Sequence, residues 1–69
     1  MKSPFGVEIY VGQHWKEVDP RFDRTVCVAE IDSDAQKIRI TSDYTRFGWA
    51  KLSRFNGKRG GYSPIEVRP

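Results

Sequence analysis

Two stretches decide the fold of this chain: TVCVAEI at residues 25–31 and KIRIT at residues 37–41. The first is apolar on both faces and rich in β-branched residues, which is typical of a central strand. The second alternates strictly, so Ile38 and Ile40 face one side of a strand and the charged residues face the other. Because turn-forming residues join the two stretches at 32–36, we predict an antiparallel hairpin.

Further extended segments flank this hairpin. Residues 5–11 alternate with a period of two, which predicts a half-buried strand. Gly12 interrupts the alternation and indicates a bend or bulge before a second extended segment at 13–18. Downstream of the hairpin, a strand is predicted at about 46–51. A charged loop at 19–24, opened by an Asp-Pro pair, connects the N-terminal part to the hairpin.

The C-terminal third carries a different spacing. Leu52 and Phe55 are three residues apart, which places them on one side of a single 3₁₀ turn. A short last strand follows at 62–65, and Pro64 indicates that it lies at a sheet edge. We expect the tail from Glu66 to be frayed. The whole pattern resembles the SH3-like barrel: an all-β fold of about five antiparallel strands with a 3₁₀ turn before the last one.

The order of several short motifs is similar to that in a group of small bacterial and phage proteins without an assigned activity. The resemblance covers residues 12–65 and implies the fold only, so it lends no catalytic residues. The segment at 5–11 is an addition to the pattern of the group. The matching residues are Gly12 and Trp15, Asp19 and Arg21, Arg24 with Val26 and Val28, Leu52 with Arg54 and Phe55, and Gly61 with Tyr62.

The length and composition are those of one small globular domain spanning residues 1–69. Hydrophobic residues make up 38% of the chain and charged residues 30%, which is too apolar for a disordered segment. The nine aromatic residues are the reason that so short a chain can form a core, because each can bury roughly 150–250 Å². We expect the core to consist of Trp15, Val26, Val28, Ile38, Ile40, Leu52 and Phe55.

The residue types needed for catalysis and for metal binding are scarce. The chain has one His and one Cys, whereas a metal site needs several such ligands at one point. His14 neighbours Trp15, so alternation turns it to solvent, and Cys27 lies in an apolar run as a small buried thiol. The glycines match no phosphate-binding motif. We therefore expect no catalytic residue, no metal, no cofactor and no enzymatic activity.

The sequence carries no pattern typical of export or of membrane insertion. The first twenty residues lack a continuous apolar stretch, and no segment approaches the roughly 20 apolar residues of a membrane helix. A cytoplasmic protein without a membrane partner is the expectation.

Charge is unevenly distributed along the chain, and this asymmetry is the best functional lead. Residues 35–69 carry eight Lys or Arg against two acids, whereas residues 1–34 carry four against seven. Cations interleaved with exposed aromatic rings suit single-stranded nucleic acid, because rings stack on bases while cations meet phosphates. The candidate nucleic-acid-binding residues are Lys37, Arg39, Tyr44, Arg46, Lys51, Arg54, Lys58 and Arg59.

A protein-interaction role competes with this hypothesis. Outward Lys and Arg are ordinary on strands, where they prevent edge-to-edge pairing. Phe47 and Trp49 share one face by alternation, and we expect at least one of these rings to lie in the core. The acidic half could face a basic partner or the basic half of a second copy, which gives a homodimer.

The leading prediction is a non-enzymatic binding module, a protein-interaction or accessory domain of bacterial or phage origin. Nucleic-acid binding is the alternative. One continuous basic face would favour nucleic acid, whereas cations that are scattered or paired with acids would favour protein.

Overall fold

The computed structural model describes residues 1–19, 21 and 24–65. Parts of the predicted loop at 19–24 (Pro20, Phe22 and Asp23) and the predicted tail from Glu66 lie outside the described residues. The described chain is all-β, with one 3₁₀ turn before the last strand. Its elements are β1 (His14–Glu17), β2 (Thr25–Asp32), β3 (Lys37–Thr41), β4 (Phe47–Lys51), the turn Leu52–Arg54 and β5 (Tyr62–Pro64).

The predicted hairpin forms the centre of the sheet. β2 pairs antiparallel with β3, with Val28 opposite Ile40 and Ile31 opposite Ile38. A bulge between Val28 and Glu30 shifts the register by one residue. Because Val28 and Ile31 are three apart, this extra residue is what allows both side chains to face the core.

The five strands form one antiparallel sheet in the order β4-β3-β2-β1-β5. β4 and β5 are its two edges, and within the described residues no ladder joins them. The sheet is therefore open, unlike the closed barrel that the sequence pattern suggests. The prediction that Pro64 marks an edge strand is confirmed, because β5 pairs with β1 alone among the described strands.

The predicted strand at 5–11 is wrong: these residues, all of them described, form no strand. The chain reverses at Gly6, where φ is 89°, and the Ser3 amide donates to the Val7 carbonyl at 2.8 Å. This reversal ends the alternation, so Ile9 is buried while Phe5 and Val11 are exposed. The prediction of a bend at Gly12 is confirmed, because its φ is 91°.

The core lies on one face of the sheet and is built around Trp15. The Trp15 ring meets the Phe55 ring edge-on with centroids 5.0 Å apart, and the 3₁₀ turn carries Phe55 there. Of the predicted core residues, Ile40 and Leu52 are only partly buried and pack against the cluster. The buried members of the core are Ile9, Trp15, Val26, Val28, Ile38, Ala50, Phe55 and Tyr62.

A buried amide ties the N-terminal segment to this core. Gln13 accepts the indole N–H of Trp15 at 2.7 Å through its side-chain oxygen. Its amide nitrogen donates to the Glu8 carbonyl at 3.0 Å. Both ends of the Gln13 amide are thus satisfied inside the protein, which removes the cost of burying it.

Candidate binding surface

The face of β3 and β4 that points away from the core carries two exposed aromatic rings. The register places Arg39 opposite Trp49, with Lys37 opposite Lys51 at one end and Phe47 at the other. We call these five residues the outer face: Lys37, Arg39, Phe47, Trp49 and Lys51. Phe47 is 45% exposed and Trp49 is 50% exposed.

The expectation that one of these rings lies in the core is therefore wrong. Gly48 and Ala50 occupy the core-facing positions of β4, opposite Ile40 and Ile38. Because the core side of β4 is filled by small residues, both large rings are left on the solvent side.

Arg39 is held in place on the outer face. Its guanidinium carbon lies 4.8 Å from the centre of the Phe47 ring, and its Nη1 lies 3.6 Å from a Glu30 carboxylate oxygen. Stacking on a ring and pairing with a surface acid are each worth up to about 1 kcal/mol at exposed sites. The Arg39 charge is therefore partly neutralised, and Glu30 brings an acid to the border of the outer face.

The turn between β3 and β4 projects Tyr44, one of the predicted site residues. The Asp43 carboxylate accepts the amides of Thr45 and Arg46, both at 2.9 Å, and the Arg46 contact is the main cause of the lowered pKa of Asp43. Tyr44 is exposed with φ at 63°. The neighbouring Cys27 side chain raises the pKa of Tyr44. Cys27 itself is only half-buried.

A cleft of about 260 Å³ opens on the core-facing side, between β4 and Tyr62 of β5. We call this the Gly48 cleft, because a Cβ built on Gly48 would touch nothing within 4 Å. Its lining is mixed: apolar side chains alternate with polar groups, which are two arginines, a hydroxyl and a phenol. The lining residues are Arg24, Val26, Ile40, Ser42, Arg46, Phe47, Gly48 and Tyr62.

The predicted basic residues do not form one face. Lys37, Arg39 and Lys51 lie on the outer face, whereas Arg46 lines the Gly48 cleft on the other side of the sheet. Arg54 lies 4.9 Å over the Tyr62 ring and donates to the Gly60 carbonyl at 3.3 Å.

The last two predicted cations lie in the loop before β5. The Lys58 amide is held at 2.8 Å by the Asn56 side chain. The pKa of Asp19 is lowered mainly by a hydrogen bond from Arg21 and to a lesser extent by the positive charge of Arg59.

The sequence interpretation left Phe47 and Trp49 out of the candidate site residues and expected at least one of these rings in the core. The alternation of two large rings with Gly48 and Ala50 is a usable signal, because small residues at every second position indicate which face of an edge strand packs against the core. Glu30 carries no such signal, since its position beside Arg39 depends on the bulge in β2.

No family model, curated protein or solved structure matches the chain. Among residues 1–19, 21 and 24–65, no three His, Cys, Asp or Glu side chains come together as metal ligands. That same part of the chain contains no helix long and apolar enough to cross a membrane.

Proposed function

We propose that this chain is an SH3-like domain that works as a non-enzymatic protein-interaction module and binds its partner through the outer face. The observation that carries the proposal is the pair of exposed rings, Phe47 and Trp49, on an edge strand. Aromatic residues and Arg are enriched at protein interfaces, and Trp and Arg are frequent where binding energy concentrates. An exposed cluster of this composition is unusual unless it is covered in function.

Two features support the SH3-like part of the proposal. The strand order places the first strand between the second and the last, and the 3₁₀ turn lies between β4 and β5. The resemblance to small bacterial and phage proteins rests on the motif order and belongs to the same proposal.

The distribution of charge favours a protein over a polyanion. A nucleic-acid strand needs a continuous track of cations, because most of its affinity comes from phosphate contacts. Here the cations are divided between the two sides of the sheet, and Arg39 is paired with Glu30. A mixed surface with two central rings suits a polypeptide that offers both apolar and charged side chains.

The proposal is tested by the native size of the protein in cells that encode it. A tagged chain at its natural level should elute well above its 8.0 kDa mass, and nuclease treatment should leave the elution unchanged. Trp49→Ser should return the chain to its monomer size, whereas Tyr10→Ser, which alters an exposed ring in the N-terminal segment, should not.

Three other results would each lead to a different conclusion about the partner or the binding surface. A purified wild-type chain that is itself a dimer, and that Trp49→Ser dissociates, would identify a second copy as the partner. Elution that collapses on nuclease treatment would replace the proposal with nucleic-acid binding. If Trp49→Ser elutes at the same large size as the wild type, the outer face does not bind the partner.

One observation favours nucleic-acid binding as the second candidate. Lys37 lies directly opposite Lys51 beside the exposed Trp49 ring, and like charges placed opposite each other on neighbouring strands are destabilising. A phosphate between the two ammonium groups would relieve this repulsion. An amide-resolved NMR titration with random single-stranded and duplex DNA at low salt tests it. Salt-sensitive shifts at these residues would favour nucleic acid.

A further inference from the structure

The outer edge of β4 offers hydrogen-bonding groups to a further strand. In the β3–β4 ladder Ile38 pairs with Ala50, and the Leu52 amide extends the same register by donating to the Gln36 carbonyl at 2.9 Å. Antiparallel ladders alternate between hydrogen-bonded and non-hydrogen-bonded pairs. The amides and carbonyls of the intervening β4 residues therefore point away from β3; these residues are Phe47, Trp49 and Lys51.

No described strand, loop or turn hydrogen-bonds to this edge. β4 pairs with β3 alone among the described strands, and no hydrogen bond from a described loop or turn reaches these three residues. Unpaired strand edges are a common docking site for an extended polypeptide, whose main chain continues the sheet.

The Gly48 cleft gives such a strand a specific side-chain site. Side chains of an added strand alternate between the two faces of the sheet, so some lie beside the exposed rings and others on the core side. On the core side the neighbour is Gly48, which has no side chain to fill the space, and the cleft of about 260 Å³ opens there. One side chain of the added strand can therefore enter the cleft.

The charge around this site favours an acidic side chain. Arg24 and Arg46 line the cleft, and no described acidic side chain lines it. Arg24 is already paired with Glu17, 3.8 Å from its Nε, whereas no described side chain pairs with the Arg46 guanidinium. The nearby Asp43 is engaged in its own turn. A carboxylate accepts two parallel N–H bonds from one guanidinium, which makes this pairing both strong and directional.

Resting on the proposed function, we infer that β4 binds an acidic, extended polypeptide segment as a sixth strand and that one carboxylate of this segment enters the Gly48 cleft to pair with Arg46. The alternate side chains of the segment then lie against Phe47 and Trp49. A nucleic acid fits this edge poorly, because its backbone carries no amide to continue the ladder.

The test uses peptides selected on the full chain from a random decapeptide display library. The selected peptides should carry an Asp or Glu at one fixed position within an alternating pattern. On binding, the amides of Phe47, Trp49 and Lys51 should gain protection from hydrogen exchange. Two methylated peptides complete the test, one N-methylated at its odd-numbered residues and the other at its even-numbered residues. One of them should lose binding and the other should keep it, since only one of the two sets of peptide amides faces β4.

Matched variants separate the cleft from the edge. Arg46→Gln should weaken binding about tenfold, because a charge-assisted hydrogen bond is lost. Lys58→Gln removes an equal charge outside the site and should change the affinity by less than about twofold at physiological salt. Gly48→Val should also weaken binding, because the introduced Val side chain would fill the cleft. The variant should still fold, since Val is well tolerated in strands.

The outcomes distinguish this inference from the proposed function beneath it. One adverse result is binding that requires Trp49 and yet is equally insensitive to both N-methylation patterns and to Arg46→Gln. That result would overturn strand addition and leave the outer face as a protein-binding surface. Peptides that bind elsewhere, or a library that yields none, would overturn the inference as well. We expect that Trp49→Ser abolishes binding, that Arg46→Gln weakens it, and that only one of the two N-methylation patterns abolishes it.

Discussion

Arg39 lies over the ring of Phe47 across the β3–β4 pair, with 4.8 Å between the guanidinium carbon and the ring centre. The contact is diagonal, because the directly opposite partner of Arg39 is Trp49. Arg39 is also restrained by Glu30 on the neighbouring strand. The Arg39 side chain is therefore restrained before a partner arrives, which lowers the entropy that ordering this side chain costs on binding.

Replacing the two tryptophans should change the stability of the protein by very different amounts. Trp15 is fully buried, so Trp15→Ala should lower the free energy of unfolding by about 3–5 kcal/mol, which rivals the whole stability of a small domain. Trp49 is half-exposed, so Trp49→Ser should lower it by only about 1 kcal/mol, through the loss of a cross-strand pair and of strand propensity. Urea unfolding followed by circular dichroism measures both. Equal losses would contradict the assignment of Trp49 to the surface.

Replacing Gln13 tests the buried amide at the core. Gln13→Met keeps the size of the side chain but leaves the Trp15 indole N–H without its acceptor, which should cost about 1–3 kcal/mol. Gln36→Met is the matched control, because Gln36 is exposed in the β2–β3 turn. A stability unchanged in both variants would mean that the indole N–H finds another partner.

Two glycines should respond in opposite directions to substitution by Ala. At Gly61 a Cβ would overlap the Arg54 carbonyl oxygen, so Gly61→Ala should cost about 1–3 kcal/mol or more. Gly48 has open space around it, so Gly48→Ala should be neutral or stabilise β4 by roughly 0.5–1 kcal/mol. Thermal unfolding of the two variants tests both expectations. A Gly61→Ala protein as stable as the wild type would contradict the close approach of the Arg54 carbonyl to Gly61.

Acid should weaken the turn that carries Tyr44. The Arg46 and Thr45 amides hold the pKa of Asp43 below its usual 3.8, so the folded state favours the carboxylate. The resulting stabilisation is present above that value and is lost as the pH falls below 3.8 through the folded pKa. Asp43→Asn should therefore be less stable than the wild type at pH 6, with the difference shrinking below pH 3.8.

Unfolding free energies of the two proteins across this pH range provide the measurement. A difference that stays constant, or grows in acid, would show that the Asp43 carboxylate does not hold the turn.

Much of the fold follows from local patterns. The alternation at Ile38 and Ile40 predicts β3, the spacing of Leu52 and Phe55 predicts the 3₁₀ turn, and Pro64 predicts the edge strand, all as the structure has them. The openness of the sheet does not follow, because it depends on the accumulated twist of all strands and not on any one segment. The reversal at Gly6 was missed because a turn can hide inside an alternating pattern.

The binding surface was predicted less well than the fold, for a physical reason. Alternation shows that Phe47 and Trp49 share a face. The small residues Gly48 and Ala50 are the sequence signal for which face that is, and the register with β3 fixes it. The pairing of Arg39 with Glu30 depends on the β2 bulge, which no residue type in that strand reveals. The basic half of the sequence is divided between the two sides of the sheet, because neighbouring residues in a strand point in opposite directions.

Photo-crosslinking from position 49 in living cells tests the central claim most directly. Trp49 is replaced by a photoreactive phenylalanine, and Tyr10, which is also exposed but lies outside the outer face, is replaced in the control protein. We predict an adduct from position 49 alone that protease degrades and nuclease leaves intact. An adduct with nucleic acid, or the same protein adduct from both positions, would contradict a protein-binding outer face.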